Sequence, residues 1–233
     1  MIAVVTLIAG SSGTAITLIS IIGAFAFGVS GGLAGVRARL DVFGVLVLAA
    51  TVGLAGGILR DVLLGIRPAS LSDWRIIVAV ALAGVVAFLA RGPLTRWEAS
   101  IEAFDAVGLA LFCIIGTDVA LHNLATPVTA VLLGTVTAVG GGAVRDIVLN
   151  KVPGVLKEGL YAVPALVGST IVVIGYELGY SSILWYAIAG IVCFAIRVVG
   201  MVFHVDLPVA HVPERSDRAA DPDSGSTEGG PRL

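Results

Sequence analysis

Gly56-Gly57-Ile58-Leu59-Arg60-Asp61 returns 85 residues later as Gly141-Gly142-Ala143-Val144-Arg145-Asp146. Each copy lies near the end of an apolar run long enough to cross a bilayer. A charged side chain there is costly, and it faces protein or water rather than lipid. Placing the same motif twice, in register, constrains the chain to two related halves that meet around a polar interior.

The repeat extends beyond the motif. At the same offset Gly23 matches Gly108, Gly31 matches Gly116, Leu48 matches Leu133, Leu64 matches Leu149 and Pro68 matches Pro153. Residues 17–90 therefore pair with 102–175.

Hydrophobic residues make up 58% of the chain and charged residues 13%, with a mean hydropathy of +1.04. Soluble domains carry about 25% charged residues, so the solvent is lipid. A net charge of -2 without a basic stripe points away from nucleic acid. A bilayer needs about 20 apolar residues per helix. Seven runs qualify: Thr17–Val36, Val42–Leu64, Trp74–Ala90, Phe104–Leu121, Pro127–Asn150, Gly159–Glu177 and Ser182–Phe203. They are apolar on all sides, and an open sheet cannot satisfy its backbone in lipid. The expected fold is all-α: three spans per half and a seventh without a partner. The first half covers 17–90, the second 102–177 and the seventh helix 182–203.

Three spans is an odd number, so the second half enters the membrane upside down, making an inverted-topology repeat. Residues 1–16 carry no Lys or Arg and read as an extramembrane lead, with a cleaved signal as the alternative. One set of loops holds Arg37, Arg39, Arg91, Arg96, Lys151 and Lys157, joined by Arg215, Arg218 and Arg232 of the tail. The other holds Arg67 and Arg75. Positive charge stays inside, which puts the N-terminus outside and the C-terminus in the cytoplasm of a plasma-membrane protein. The tail, 206–233, is rich in Pro, Ser, Gly and acids and is expected to be disordered.

In inverted repeats the site lies at the interface of the halves, on interrupted helices. The interruptions expected here are Gly56-Gly57 and Gly140-Gly141-Gly142, where spans two and five kink and cross. Thr51, Thr135 and Thr137 are the nearest hydroxyls. They either bond their own helix or, with freed carbonyls, serve a partly dehydrated cation.

Two readings stand for Arg60 and Arg145: they line a pathway, or they lock helices together. Asp61 and Asp146 are sequence neighbours of the arginines and are expected to point elsewhere, so each arginine seeks an acid from another span. Asp105 reads as a helix-start carboxylate, Asp118 with His122 as a solvated pair, and Arg197 as snorkelling to the surface. Gly28 and Gly32, Gly31 and Gly35, and Gly53 and Gly57 form small-residue pairs suited to close packing. Cys113 and Cys193 read as small buried hydrophobes. No motif for nucleotide or metal chemistry is present, and His122, His204 and His211 are scattered. Neither an enzyme nor a cofactor is expected.

At Asp41-Val42-Phe43-Gly44-Val45-Leu46-Val47-Leu48 with the first Gly-Gly-x-x-Arg-Asp, and at Phe104-Asp105-Ala106-Val107-Gly108-Leu109-Ala110-Leu111-Phe112 with the second, the chain resembles the bacterial and archaeal TRIC family, relatives of the trimeric intracellular cation channels. The resemblance covers about residues 17 to 207. It implies a homotrimer with one potassium-permeable pore in each protomer, framed by kinked spans two and five. Gly56, Gly57, Arg60, Asp61, Gly140, Gly141, Gly142, Arg145 and Asp146 would lie along the pathway, with Thr51, Thr135 and Thr137. Potassium would bind only in transit.

Some bacterial members are described as glycine transporters, which leaves a secondary transporter of a small zwitterion as the alternative. A passive structural role fits the doubled motif poorly. Two positions depart from the family pattern: Ala55 stands where the second repeat has Gly140, and Ser20 where it has Asp105. A straighter second span is the expectation from Ala55, so Gly56→Leu should harm less than Gly141→Leu.

Overall fold

The computed structural model describes residues 2–90, 94–123, 125–157, 161–180 and 183–203, of which 2–13 and 94–97 are described by backbone alone. The tail from Asp206, its arginines, Arg91, His204, His211, Gly159 and Ser182 lie outside the described residues, as does the side chain of Arg96.

The described residues form nine helices: α1 (Ile2–Arg37), α2 (Val42–Leu63), α3 (Ala69–Ser72), α4 (Trp74–Leu89), α5 (Leu94–His122), α6 (Pro127–Val148), α7 (Gly154–Lys157), α8 (Ala162–Glu177) and α9 (Ile183–Phe203). Five segments are long and apolar enough to cross a membrane: Thr14–Arg37, Val42–Leu63, Glu98–His122, Pro127–Val148 and Ile183–Phe203.

The helix bounds amend the sequence reading in three places. Helix runs from Ile2 through the expected lead without a break. α5 starts ten residues before Phe104, because its first turns carry Glu98 and Glu102 and are not apolar. α4 and α8 have 16 residues each, a rise of about 24 Å against a hydrocarbon core of about 30 Å.

Local chemistry sets the helix ends. Asp41 caps α2 by accepting from the Gly44 amide at 2.7 Å. Thr126, at the equivalent place, caps α6 by accepting from Thr129, and Pro127 opens that helix where no amide is needed. Both helices stop at residues with left-handed backbone, Gly65 (φ 67) and Asn150 (φ 54). Asp73 caps α4 through the Arg75 amide at 3.0 Å. The Arg75 guanidinium, hydrogen-bonded to the same carboxyl, holds it below the usual carboxylate range.

Within the first half α1, α2 and α4 pack on one another; within the second, α5, α6 and α8 do the same. The halves meet through α1 against α5 and α2 against α6, while α9 lies on α5 and α8. The contacts obey the 85-residue offset. Gly23 sits under the Phe112 ring and Gly108 under the Phe27 ring, and those rings meet edge to face at 5.1 Å. Gly31 packs on Val52 and Gly116 on Thr137. The glycine–ring contact between the halves is thus made twice with the partners exchanged, as across a two-fold axis, and the Gly31 contact within the first half is repeated by Gly116 within the second.

The small-residue pairs act in packing. A methyl group on Gly28 would lie 2.8 Å from the Ala83 methyl, and one on Gly32 2.6 Å from that of Ala87. Gly53 lies against the Ala24 carbonyl, where a methyl carbon would come within 2.7 Å. Gly57 is the exception, with nothing within 4 Å. Cys113 and Cys193 are buried free thiols. Phe43, Trp74, Leu89, Val128 and Leu156 stand exposed on the outer surface, an apolar extent that suits lipid.

Candidate functional site

α2 and α6 cross at the glycines. A methyl group on Gly56 would overlap the Thr137 carbonyl oxygen, and one on Gly141 would lie 2.8 Å from the Val52 carbonyl oxygen. Ascending α2 from 52 to 56 therefore descends α6 from 141 to 137, so the helices cross antiparallel. Gly140 completes the contact: its methyl would lie 3.1 Å from the Gly56 Cα.

Both helices are continuous through the motif, which corrects the expected breaks. Here glycine supplies a missing side chain, and the backbones approach because of it. Gly56 is the tighter of the two notches, so packing argues for the opposite order of Gly56→Leu and Gly141→Leu from the one expected from Ala55.

Because the crossing is antiparallel, Arg60 and Arg145 stand at its opposite ends. Arg60 Nε donates to Asp61 Oδ1 at 2.7 Å, and Asp61 Oδ2 accepts from the Ala69 amide at 2.8 Å. Arg145 Nε donates to Asp146 Oδ1 at 3.0 Å, and Asp146 Oδ2 accepts from the Gly154 amide at 2.9 Å. Each aspartate thus binds its neighbouring arginine and the first amide beyond the Pro68 or Pro153 turn. The expectation that sequence neighbours point apart fails because the guanidinium, on its long stem, folds back to the next carboxylate.

Only the second half adds an acid from another helix. Arg145 Nη1 donates to Asp105 Oδ1 at 2.8 Å and to Ser30 Oγ at 2.9 Å, while Tyr161 OH donates to Asp105 Oδ2 at 2.8 Å. Arg197 lies over the Tyr161 ring, 4.3 Å from its centroid. At the equivalent positions around Arg60 stand Ser20, Ile115 and Ile76, in place of Asp105, Ser30 and Tyr161, and they cannot form this network.

Asp105 is therefore no helix-start residue. It is buried well inside α5, and Arg197 is buried rather than snorkelling. Asp118 is also buried, hydrogen-bonded by Tyr186 with His122 Nδ1 at 3.5 Å, so it is not the solvated pair expected.

Gly142 leaves room for this network, since its methyl would overlap Tyr161 OH and sit 3.0 Å from Asp105 Oδ1. Its counterpart Gly57 faces open space. Thr51, Thr135 and Thr137 hydroxyls donate to their own helix, to Val47 O, Val131 O and Leu133 O at 2.8, 2.8 and 2.6 Å. Thr137 meets the crossing through its carbonyl. Tyr161 and Ser30 were missed by sequence reasoning, and neither lies near a motif.

Two cavities flank the crossing. The one at the Arg145 end has a volume of about 470 Å³ and is lined by Arg37, Glu102, Asp105, Arg145, Lys151 and Arg197 among others. The one at the Arg60 end, about 30 Å³, is lined by Ser20, Gly57, Arg60, Asp61, Ser70 and Phe112 among others. Among the described residues no group of three or more His, Cys, Asp or Glu side chains could hold a metal ion.

Two equivalent helical halves, joined at an antiparallel glycine crossing with an arginine–aspartate pair at each end, define a repeated multi-helix membrane protein. A family model described as glycine transporter matches residues 17–91 and again 102–177. The chain is 44% identical over 188 residues to a UPF0126 membrane protein of Streptomyces coelicolor, covering 80% of this chain and 86% of that one. It is 31% identical to the UPF0126 inner membrane protein YadS of Escherichia coli K12, over 84% and 96% of the two chains.

Among solved structures, the TRIC trimeric intracellular cation channel orthologue of Rhodobacter sphaeroides superposes with a TM-score of 0.77 at 31% identity, over 82% of this chain and all of that one. A prokaryotic TRIC channel studied in 0.5 M KCl gives 0.77 at 29% identity. The chain belongs to the TRIC family.

Proposed function

We propose that this protein is a homotrimeric, potassium-permeable cation channel of the inner membrane, with one pathway in each protomer through the α2–α6 crossing. The likeness to solved TRIC cation channels over their full length carries the reading. In it the membrane is crossed seven times by α1, α2, α4, α5, α6, α8 and α9, with the two halves inverted. Gly56, Gly140 and Gly141 form the closed crossing, and permeation requires α2 and α6 to part there. An unpaired arginine would repel potassium, but Arg60 and Arg145 each hold a hydrogen-bonded carboxylate, which offsets the charge of each. Gly57, Gly142 and the three threonines flank the path, the threonines through their helix-bonded hydroxyls and carbonyls.

The second reading, a carrier of a small zwitterion such as glycine, is favoured by the family model's description. Carriers of that kind present half-helix ends to the substrate at the midplane, whereas α2 and α6 run unbroken through the crossing. Purified protein in planar bilayers should give resolvable unitary potassium currents and a native mass of three chains. Glycine counterflow in vesicles without unitary currents would decide for the carrier.

Arg37, Lys151 and Lys157 line the one cavity at the Arg145 end, which supports an N-out, C-in orientation by the positive-inside rule. A cysteine at Ser216, in the tail outside the described residues, should then be labelled by impermeant reagent in inverted vesicles and spared in right-side-out ones. Labelling from outside would reverse the assignment.

A further inference from the structure

We propose that the small chamber at the Arg60 end is a water site, and that Ser70 is the positioning residue that keeps it wet for a cation passing the α2–α6 crossing. The role in passage rests on the channel reading; the water site itself does not.

The chamber exists because the two halves differ there. At the Arg145 end Tyr161 and Asp105 fill the space against Gly142. Their counterparts at the Arg60 end, Ile76 and Ser20, are smaller. A methyl group on Gly57, the counterpart of Gly142, would meet nothing within 4 Å. A volume of about 30 Å³ remains, and Ser70 lines it together with Ser20, Gly57, Arg60, Ile76 and Phe112 among others.

Ser70 follows Ala69, whose amide is tied to Asp61 Oδ2 at 2.8 Å, so α3 is anchored to the end of α2. Ser70 is only 7% exposed, and its Oγ has no hydrogen-bond partner among the described residues. A buried hydroxyl left without a partner costs more than a made hydrogen bond contributes. The fold does not require a hydroxyl at this place: Val155 stands at the equivalent position of the second half and packs against the apolar core. Arg60 and Asp61 satisfy each other, while Ser20 Oγ donates to Ile16 O and keeps its lone pairs. A water needs about 10–15 Å³ and two to four polar partners, so the chamber has room for about two, bonded to the Ser70 and Ser20 hydroxyls. Much of the remaining lining, Leu54, Ile58, Ile76, Phe112 and Ile115, is apolar, and an apolar constriction closes to ions by losing its water. The Ser70 hydroxyl opposes that loss.

Hydroxyl-radical footprinting of the full-length protein by X-ray radiolysis tests the water site without a current. Phe112 lines the chamber and its two-fold counterpart Phe27 does not, and both rings are buried. Radicals form from the water beside a side chain, so Phe112 should be oxidised several-fold faster than Phe27. Ser70→Ala leaves the space and removes the hydroxyl. It should bring Phe112 down to the rate of Phe27. In planar bilayers it should lower the unitary potassium conductance roughly fivefold, the population factor of one net hydrogen bond.

A hydroxyl that is merely buried and unpaired would behave otherwise: Ser70→Ala would raise the melting temperature and leave both the oxidation rates and the conductance alone. Equal oxidation of the two rings in the wild type, or wild-type conductance in Ser70→Ala, overturns the proposal. Absence of unitary currents in the wild type is a separate result. It removes the channel reading and with it the role of Ser70 in passage, and the two oxidation rates then decide the water site by themselves.

Discussion

Gly56→Ala should sharply lower the yield of assembled protein, while Gly57→Ala, one residue away, should be neutral or stabilising by up to about 1 kcal/mol, the usual helix preference for alanine. The added carbon at Gly56 overlaps a backbone oxygen, Thr137 O, which has no rotamer to give; at Gly57 it meets nothing within 4 Å. Inserting bulk into a packed contact costs about 1–3 kcal/mol when side chains can adjust, and a clash with backbone lies at or above the top of that range. Gly141→Ala should fall between the two, because its methyl would meet Val52 O at 2.8 Å and the movable Phe27 ring at 3.2 Å. Thermal unfolding in detergent, with size-exclusion yield, checks the order. Equal behaviour of Gly56→Ala and Gly57→Ala would remove the tight crossing.

Asp105→Ala should be a damaging loss of a carboxylate, at about 3 kcal/mol, the lower end of the cost of breaking a buried ion pair, because Arg145 keeps Asp146. Asp105 receives hydrogen bonds from both Arg145 and Tyr161; truncation strands the Tyr161 hydroxyl and leaves Arg145 with Asp146 and Ser30. Ser20→Ala, at the equivalent first-half position, removes only a hydroxyl bonded to Ile16 O at 2.8 Å and should cost little. Adding Arg145→Met to Asp105→Ala should cost less than Arg145→Met alone, because the contact between the two is already gone. A double-mutant cycle on melting measures the coupling; strictly additive effects would mean that the pair is not interacting.

The contrast between these residues shows where the sequence was readable. α2 and α6 were placed within two residues at each end, because Asp41 and Thr126 cap them and the apolar run between cap and charge has one helical solution. The repeat was legible because matched glycines, prolines and charges survive at one offset. What glycine does at the crossing was not legible. A glycine in a helix can let the backbone bend or let a neighbour come close, and only the neighbour decides between these. At Gly56 that neighbour is a carbonyl about 80 positions away.

The same distance hid the Asp105 network. Ser30, Asp105, Arg145, Tyr161 and Arg197 come from five separate stretches with no shared motif. Tyr161 in particular carried no signal beyond being a polar tip at the edge of an apolar run. The adjacent pairing of Arg60 with Asp61 escaped for a different reason: helix-face geometry describes where side chains leave the backbone, and a flexible four-bond stem can return.

The partners chosen by the two arginines bear on how such a chain can be made at all. Synthesis runs from the N-terminus at roughly 5–20 residues per second, so the groove at Gly56 waits several seconds for Thr137 to arrive. Arg60 does not wait, since Asp61 follows it at once and Ala69 closes the pair within the same half. Arg145 meets Asp146 as the next residue and finds Asp105 and Ser30 already made. Neither arginine depends on a carboxylate still to be translated, and at each step of insertion the charge entering the bilayer has its counter-charge beside it or ahead of it.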